Sequence, residues 1–119
     1  MTIHWIPLQS EAEVEQLKER SRKIPCLLFK HSSKCNISSI AKYRLESDWS
    51  FDTDEVEVYF LDLLKHRTTS AYIAETFAIW HESPQVLLII NGECEYDASH
   101  LSIRVEEIKE ALDSVANKY

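Results

Sequence analysis

Three cysteines are the residues of this sequence best suited to chemistry, and Cys35 is the one placed to react. It follows an apolar run, Cys26 to Phe29, and a short polar break, His31 to Lys34, and a helical pattern begins directly after it. The first N–H groups of a helix lack partners within the helix, and with the helix dipole they favour a negative charge. Lys34 adds a positive charge beside the sulfur. These features favour a thiolate at Cys35, the form that attacks disulfides.

The residue three positions after Cys35 decides which thiol chemistry is available. A dithiol oxidoreductase has a second cysteine there to resolve the mixed disulfide, whereas this chain has Ser38. A lone thiolate can still take a small thiol from a protein mixed disulfide, if an external thiol or a reductase then regenerates it. The spacing therefore predicts monothiol exchange at Cys35.

The other candidate ligands and thiols have simpler interpretations. Cys26 lies within the apolar run, so we interpret it as an inert core thiol. Cys94 follows the Asn91-Gly92 turn, where an incidental thiol is the main interpretation and a resolving thiol for Cys35 is the alternative. His31 and Cys35 offer only two ligands, too few for a zinc site, so we predict no metal. His31 is expected to support the thiolate or to end the strand.

Local patterns predict five strands and four helices around this cysteine. The strands are expected at Ile3–Ile6, Cys26–Phe29, Val56–Asp62, Gln85–Ile90 and Glu93–Tyr96, the last two joined by the Asn91-Gly92 hairpin turn. The first helix is expected to follow a capping box formed by Ser10 and Glu13. The other three are expected from Cys35 to about Ser47, from Ser70 to His81, and from Val105 to about Val115. This order predicts an α/β protein with a mixed sheet, helices on both faces, and a single domain over residues 1–119.

Apolar spacing predicts which side chains form the core. In the helix after Cys35 the inward set is expected to include Ile37, Ile40, Ala41 and Leu45. In the third helix Ile73, Ala74, Phe77 and Trp80 are expected on one buried face, with Thr68 or Thr69 as the N-terminal cap before Ser70. Trp49 and Phe51 are expected to fold back onto the core.

Composition excludes several classes of function. Thirteen Lys and Arg against twenty Asp and Glu give a net charge of −7, which argues against nucleic acid or an anionic membrane as partner. The single glycine excludes glycine-rich phosphate loops. No apolar run approaches the roughly 18–20 residues of a membrane span. Three widely spaced cysteines, with no secretory signal pattern at Met1 to Trp5, predict free thiols in a reducing cytoplasm.

The element order, with a cysteine after the first central strand and a proline before the hairpin, resembles the thioredoxin fold. Phe29-Lys30-His31-Ser32 leading into Cys35-Asn36-Ile37-Ser38, and later His81-Glu82-Ser83-Pro84-Gln85, are similar to the YtxJ-like family, the monothiol bacilliredoxins. That family usually has Thr-Cys-Pro-Ile-Ser, whereas Lys34 and Asn36 stand here in place of the threonine and the proline. Since proline presets the first helical turn, its replacement is expected to hold Cys35 less rigidly.

The resemblance implies the partners and the rest of the site. Bacillithiol is the implied low-molecular-weight thiol co-substrate, with S-thiolated cytosolic proteins as substrates and no bound cofactor. It also implies a cis peptide bond at Ser83-Pro84, facing the cysteine and docking the substrate backbone. Substrate contacts are expected from Lys34, Asn36 and Ser38 around Cys35, and from Ser83 and Pro84. Thioredoxins bury an acid beneath their dithiol, and the strand from Cys26 to Phe29 has none, as a monothiol route would allow.

Two other functions stay open at this point. Monothiol glutaredoxins hold an iron–sulfur cluster between two subunits with one cysteine each, so a cluster carrier is one alternative. A thioredoxin-fold interaction module with an idle cysteine is the other. Nothing in the residues themselves distinguishes bacillithiol from glutathione.

Overall fold

The computed structural model describes residues 2–115, so both ends of the predicted 1–119 domain lie outside the described residues. The strands are β1 Trp5–Pro7, β2 Cys26–His31, β3 Glu57–Asp62, β4 Gln85–Ile90 and β5 Glu93–Ser99. The helices are α1 Glu11–Arg20, α2 Asn36–Asp48, α3 Arg67–Phe77 and α4 Val105–Ser114, with a 3-10 turn at His100–Ser102 before α4. The predicted order of strands and helices is confirmed.

The five strands form one mixed sheet in the order β1-β3-β2-β4-β5. The first three of these are parallel, β4 runs antiparallel to β2, and β5 runs antiparallel to β4. The hairpin turn has positive φ angles at Asn91 (53°) and Gly92 (81°), as this two-residue turn requires. β2 and β4 are buried on both faces, which explains why they are apolar over almost their whole length.

Two apolar clusters lie on opposite faces of the sheet, so the prediction of helices on both faces is confirmed. One cluster joins Leu27 and Phe29 of β2 to α2 and α4 and includes Trp49 and Phe51, which pack on the core as predicted. The other joins Cys26 and Leu28 to α1 and α3. The alternation along β2 therefore continues to Lys30 on the α1–α3 face and His31 on the α2–α4 face.

Three expected core positions, Trp80, Ile37 and Ile40, are wrong. The third helix begins at Arg67 and ends at Phe77, where Ala78 takes a left-handed conformation (φ 55°), so Trp80 leaves the helical spacing and is 91% exposed. In α2 the buried stripe is Ser38, Ala41 and Leu45. Ile37 and Ile40 are 39% and 46% exposed, because they lie outside the face of α2 that carries Ser38, Ala41 and Leu45.

One edge of the sheet gathers the ends of three central strands. β2 and β3 are parallel and end in register at His31 and Asp62. β4 is antiparallel and begins there, since its first residue, Gln85, pairs with Lys30. The loop after β2 and the turn before β4 therefore lie side by side at this edge.

Candidate active site

Cys35 is the N-terminal cap residue of α2 at this edge of the sheet. Its carbonyl accepts the first intrahelical hydrogen bond, from the N–H of Ser39 at 3.1 Å, and its own N–H donates to the carbonyl of Ser32 at 3.1 Å. The sulfur makes no capping hydrogen bond, and the first turn of α2 contains no acidic side chain. The side chain is partly exposed, and the neighbouring Lys34 and Asn36 are exposed. Cys35 therefore lies, as predicted, at the positive end of the α2 dipole.

Ser38 supports the loop rather than facing the solvent. Its side chain is fully buried, its Oγ accepts the N–H of Ser32 at 3.0 Å, and it lies 2.7 Å from Nδ1 of His31. Burial, and next the charge of Lys42, lower the pKa of His31. The expected contact between the Ser38 hydroxyl and a substrate is not available in this arrangement, because the side chain has no exposed surface and its hydroxyl already pairs with Ser32 and His31.

The second half of the expected site is the turn that precedes β4. The Ser83-Pro84 peptide bond is cis, as the family resemblance implied. The carbonyl of Pro84 accepts the N–H of His100 at 3.0 Å, which connects the turn to the segment after β5. The Oγ of Ser83 is buried and has no hydrogen-bond partner among the described residues. The sheet register places this turn beside the loop that carries Cys35.

The other two cysteines lie away from this edge. Cys26 is fully buried at the start of β2, as predicted, and burial raises the pKa of its thiol to about 12. Cys94 pairs with Ile89, four residues along β4 from the edge where Gln85 lies, which is about 13 Å of strand. Burial raises the pKa of Cys94 to about 12 as well. A disulfide needs Cα atoms within about 7 Å, so the alternative of Cys94 as resolving thiol for Cys35 does not fit this fold.

A polar cluster that the sequence analysis did not identify lies behind the turn. Nζ of Lys30 is 3.2 Å from the carbonyl oxygen of Ser70 and 3.3 Å from Nδ1 of His81, and Lys30 has no exposed surface. Gln85 is also buried; its amide donates to the carbonyl of Trp80 at 3.0 Å. The sequence signal for this cluster is that Lys30 directly continues the apolar run Leu27-Leu28-Phe29. A strand buried on both faces has no solvent-facing position for a lysine.

Within residues 2–115 no group of three or more His, Cys, Asp and Glu side chains is arranged to hold a metal ion. None of the helices in that range combines the length and apolar character needed to cross a membrane. The chemistry this site can perform with its own residues is attack by the Cys35 sulfur on a disulfide.

Comparison with known proteins identifies relatives with the same architecture. The family model described as monothiol bacilliredoxin BrxC matches residues 6–108. A solved structure described as an inferred oxidoreductase with a thioredoxin fold is 31% identical, with a TM-score of 0.78, and the match covers 90% of this chain and 92% of that one.

More distant structures share the fold alone. Thioredoxin from Schistosoma mansoni is 19% identical with a TM-score of 0.68, over 93% of this chain and 97% of that one. Thioredoxin from Malassezia sympodialis is 10% identical with a TM-score of 0.72, over 96% and 91% of the two chains. The thioredoxin-like fold is therefore shown, and family and fold together support a thiol oxidoreductase.

Proposed function

Because this chain belongs to the monothiol bacilliredoxin family, we propose that it removes a low-molecular-weight thiol, bacillithiol in the first instance, from protein mixed disulfides through Cys35. The observation that carries the proposal is the contrast among the three thiols. Cys35 is partly exposed at a helix N-terminus, whereas burial raises the pKa of both Cys26 and Cys94 to about 12. Only Cys35 combines partial exposure with a position at a helix N-terminus.

The first step is an exchange with no net oxidation. The Cys35 thiolate attacks the sulfur of the small thiol in the mixed disulfide, a new disulfide forms between them, and the protein leaves as a thiolate that takes a proton from water. Lys34 and the free N–H groups at the start of α2 stabilise the attacking charge. The turn at Ser83 and Pro84 docks the substrate beside the sulfur.

The second step needs an external thiol, because the position that would supply an internal one is Ser38, a buried serine. A second molecule of the small thiol attacks the mixed disulfide on Cys35 and leaves as the symmetrical disulfide, and the Cys35 thiolate is regenerated. A reductase acting on Cys35 directly would serve the same purpose. Asn36 and Lys34, both exposed beside the sulfur, are the side chains we expect to contact the small thiol.

The test uses a protein substrate that carries one bacillithiol on a known cysteine. Mass spectrometry follows loss of bacillithiol from the substrate and its appearance on this chain, for the wild type, Cys35→Ser and the matched control Cys94→Ser. We expect transfer in the wild type and the control and none in Cys35→Ser. Transfer by Cys35→Ser, or equal loss of activity in both variants, would contradict the proposal. A parallel substrate that carries glutathione tests whether bacillithiol is preferred.

A further inference from the structure

Lys30 is a lysine buried at the strand end that leads into the reactive loop. Its side chain has no exposed surface, and burial lowers its pKa to about 8. Among the side chains of residues 2–115 no carboxylate forms an ion pair with it. An uncompensated buried charge costs free energy that an apolar residue of similar length would avoid. A residue that departs from its local pattern at such cost is a candidate for a functional role.

The partner of Lys30 belongs to the segment that ends in the docking turn. Nδ1 of His81 lies 3.3 Å from Nζ of Lys30 and 3.2 Å from Oγ of Ser70, and both of these groups can donate. Burial and the nearby Lys30 charge lower the pKa of His81, while the charge of Glu82 acts in the opposite direction. The neutral ring with Nδ1 as acceptor is therefore the favoured form, and it accepts a hydrogen bond two residues before Ser83.

The neighbouring strand holds the same segment. Gln85 lies opposite Lys30 in the sheet register, its amide donates to the carbonyl of Trp80, and its Oε1 is 3.4 Å from the N–H of Glu82. The segment 79–84 runs from the left-handed end of α3 to β4. Two buried side chains, Lys30 of β2 and Gln85 of β4, hydrogen-bond to it. These contacts depend on tertiary structure, since Lys30 and His81 are 51 residues apart in sequence.

We propose that Lys30 is a positioning residue, which acts through His81 to hold the segment 79–84 so that Ser83 and Pro84 meet the group bonded to Cys35. The inference rests on the proposed function, because the turn docks a substrate only if Cys35 forms the mixed disulfide. We expect Lys30 to touch neither the sulfur nor the substrate, because strand alternation places it with Cys26 and Leu28 on the α1–α3 face of β2, whereas His31 follows Leu27 and Phe29 on the α2–α4 face.

The decisive variant is Lys30→Met, which keeps the length of the side chain and removes the donors and the charge. We expect KM for the thiolated protein to rise about three- to tenfold, which corresponds to the loss of about one hydrogen bond. The kcat should stay within about twofold. The rate of Cys35 alkylation by iodoacetamide should not change. The urea midpoint should stay the same or rise, because a buried charge has been removed. Lys23→Met, an exposed lysine after α1, is the matched control for the lost charge.

The His81 variants separate a hydrogen bond from mere packing. His81→Asn retains an acceptor near the position of Nδ1, and we expect KM close to that of the wild type. His81→Leu removes the acceptor, and its effect on KM should not add to that of Lys30→Met, because both variants break the same contact. Nitrogen NMR of the wild type should show the His81 proton on Nε2, and Lys30→Met should speed amide exchange in the segment 79–84.

Three results would overturn the role of Lys30. These are a parallel fall of stability and activity with unchanged KM, a slower alkylation of Cys35, and unchanged amide exchange in the segment 79–84 of Lys30→Met. If the wild type fails to turn over a thiolated protein, the proposed function fails. The tautomer of His81 and the amide exchange then still decide whether Lys30 holds the turn.

Discussion

Replacement of Ser38 by alanine tests whether this buried serine, at the position of a resolving cysteine, holds the reactive loop. Its Oγ is the acceptor for the N–H of Ser32 at 3.0 Å and the partner of His31 Nδ1 at 2.7 Å, and the side chain has no exposed surface. Alanine fits the space but leaves both groups without that partner. An unsatisfied buried donor or acceptor costs about 1–3 kcal/mol.

Ser32 is only partly buried, so water can replace part of its lost bond, and His31 is almost fully buried, so water replaces little there. We therefore expect Ser38→Ala to lower the free energy of unfolding by about 2–3 kcal/mol, which is on the order of a 10 °C fall in the melting temperature for a chain of this size. Urea unfolding followed by far-UV circular dichroism measures the change, and the slope of the transition should stay constant.

The matched control is Ser39→Ala, the same chemical change at the next position, where the side chain is exposed. Its free energy of unfolding should change by no more than about 0.5 kcal/mol. A Ser38→Ala protein as stable as the Ser39→Ala protein would refute the reasoning, since it would mean that the Ser38 hydroxyl holds neither Ser32 nor His31 in solution.

Two further predictions follow from the ionisable groups. At pH 7.5 iodoacetamide should label Cys35 faster than Cys26 or Cys94, because burial raises the pKa of both other thiols to about 12; peptide mapping measures the three rates, and faster labelling of Cys26 or Cys94 would contradict Cys35 as the reactive thiol. The pKa of Lys30 is about 8 in the folded chain and about 10.5 when unfolded, so the unfolded state holds more protons between these values and wild-type stability gains with rising pH. The free energy of unfolding of Lys30→Met should therefore exceed that of the wild type most below pH 8, and this difference should shrink as the pH rises toward 10.5. Urea titrations of both proteins at each pH measure it, and a difference that widened over this range would show that Lys30 is not buried as a charge.

The features that the sequence predicted correctly depend on neighbours along the chain. The capping of α1 by Ser10, whose Oγ accepts the N–H of Glu13, follows from residues three apart. The hairpin at Asn91-Gly92 follows from two residues that tolerate positive φ. The position of Cys35 at the start of α2 follows from the change of pattern around it. Each of these involves short-range sterics and hydrogen bonds, which a local pattern contains in full.

The features that the sequence did not determine depend on groups that are distant along the chain. Helical spacing placed Trp80 in the core, but α3 ends at Phe77 because the chain must turn there to reach β4, and Trp80 is exposed. In the same way α2 buries Ser38, which shares one helical face with Ala41 and Leu45 and meets His31 of β2, while Ile37 lies outside that face and is exposed.

The candidate site divides along the same line. A local pattern predicted Cys35 as the nucleophile, and a motif shared with a family predicted Ser83 and Pro84 as the docking turn. Only the sheet register shows that Cys94 lies about 13 Å of strand away from the reactive edge, and only the packing of α3 on the sheet brings His81 to Lys30. A buried lysine looks like a surface residue in sequence, because its partner is supplied by the fold and not by its neighbours.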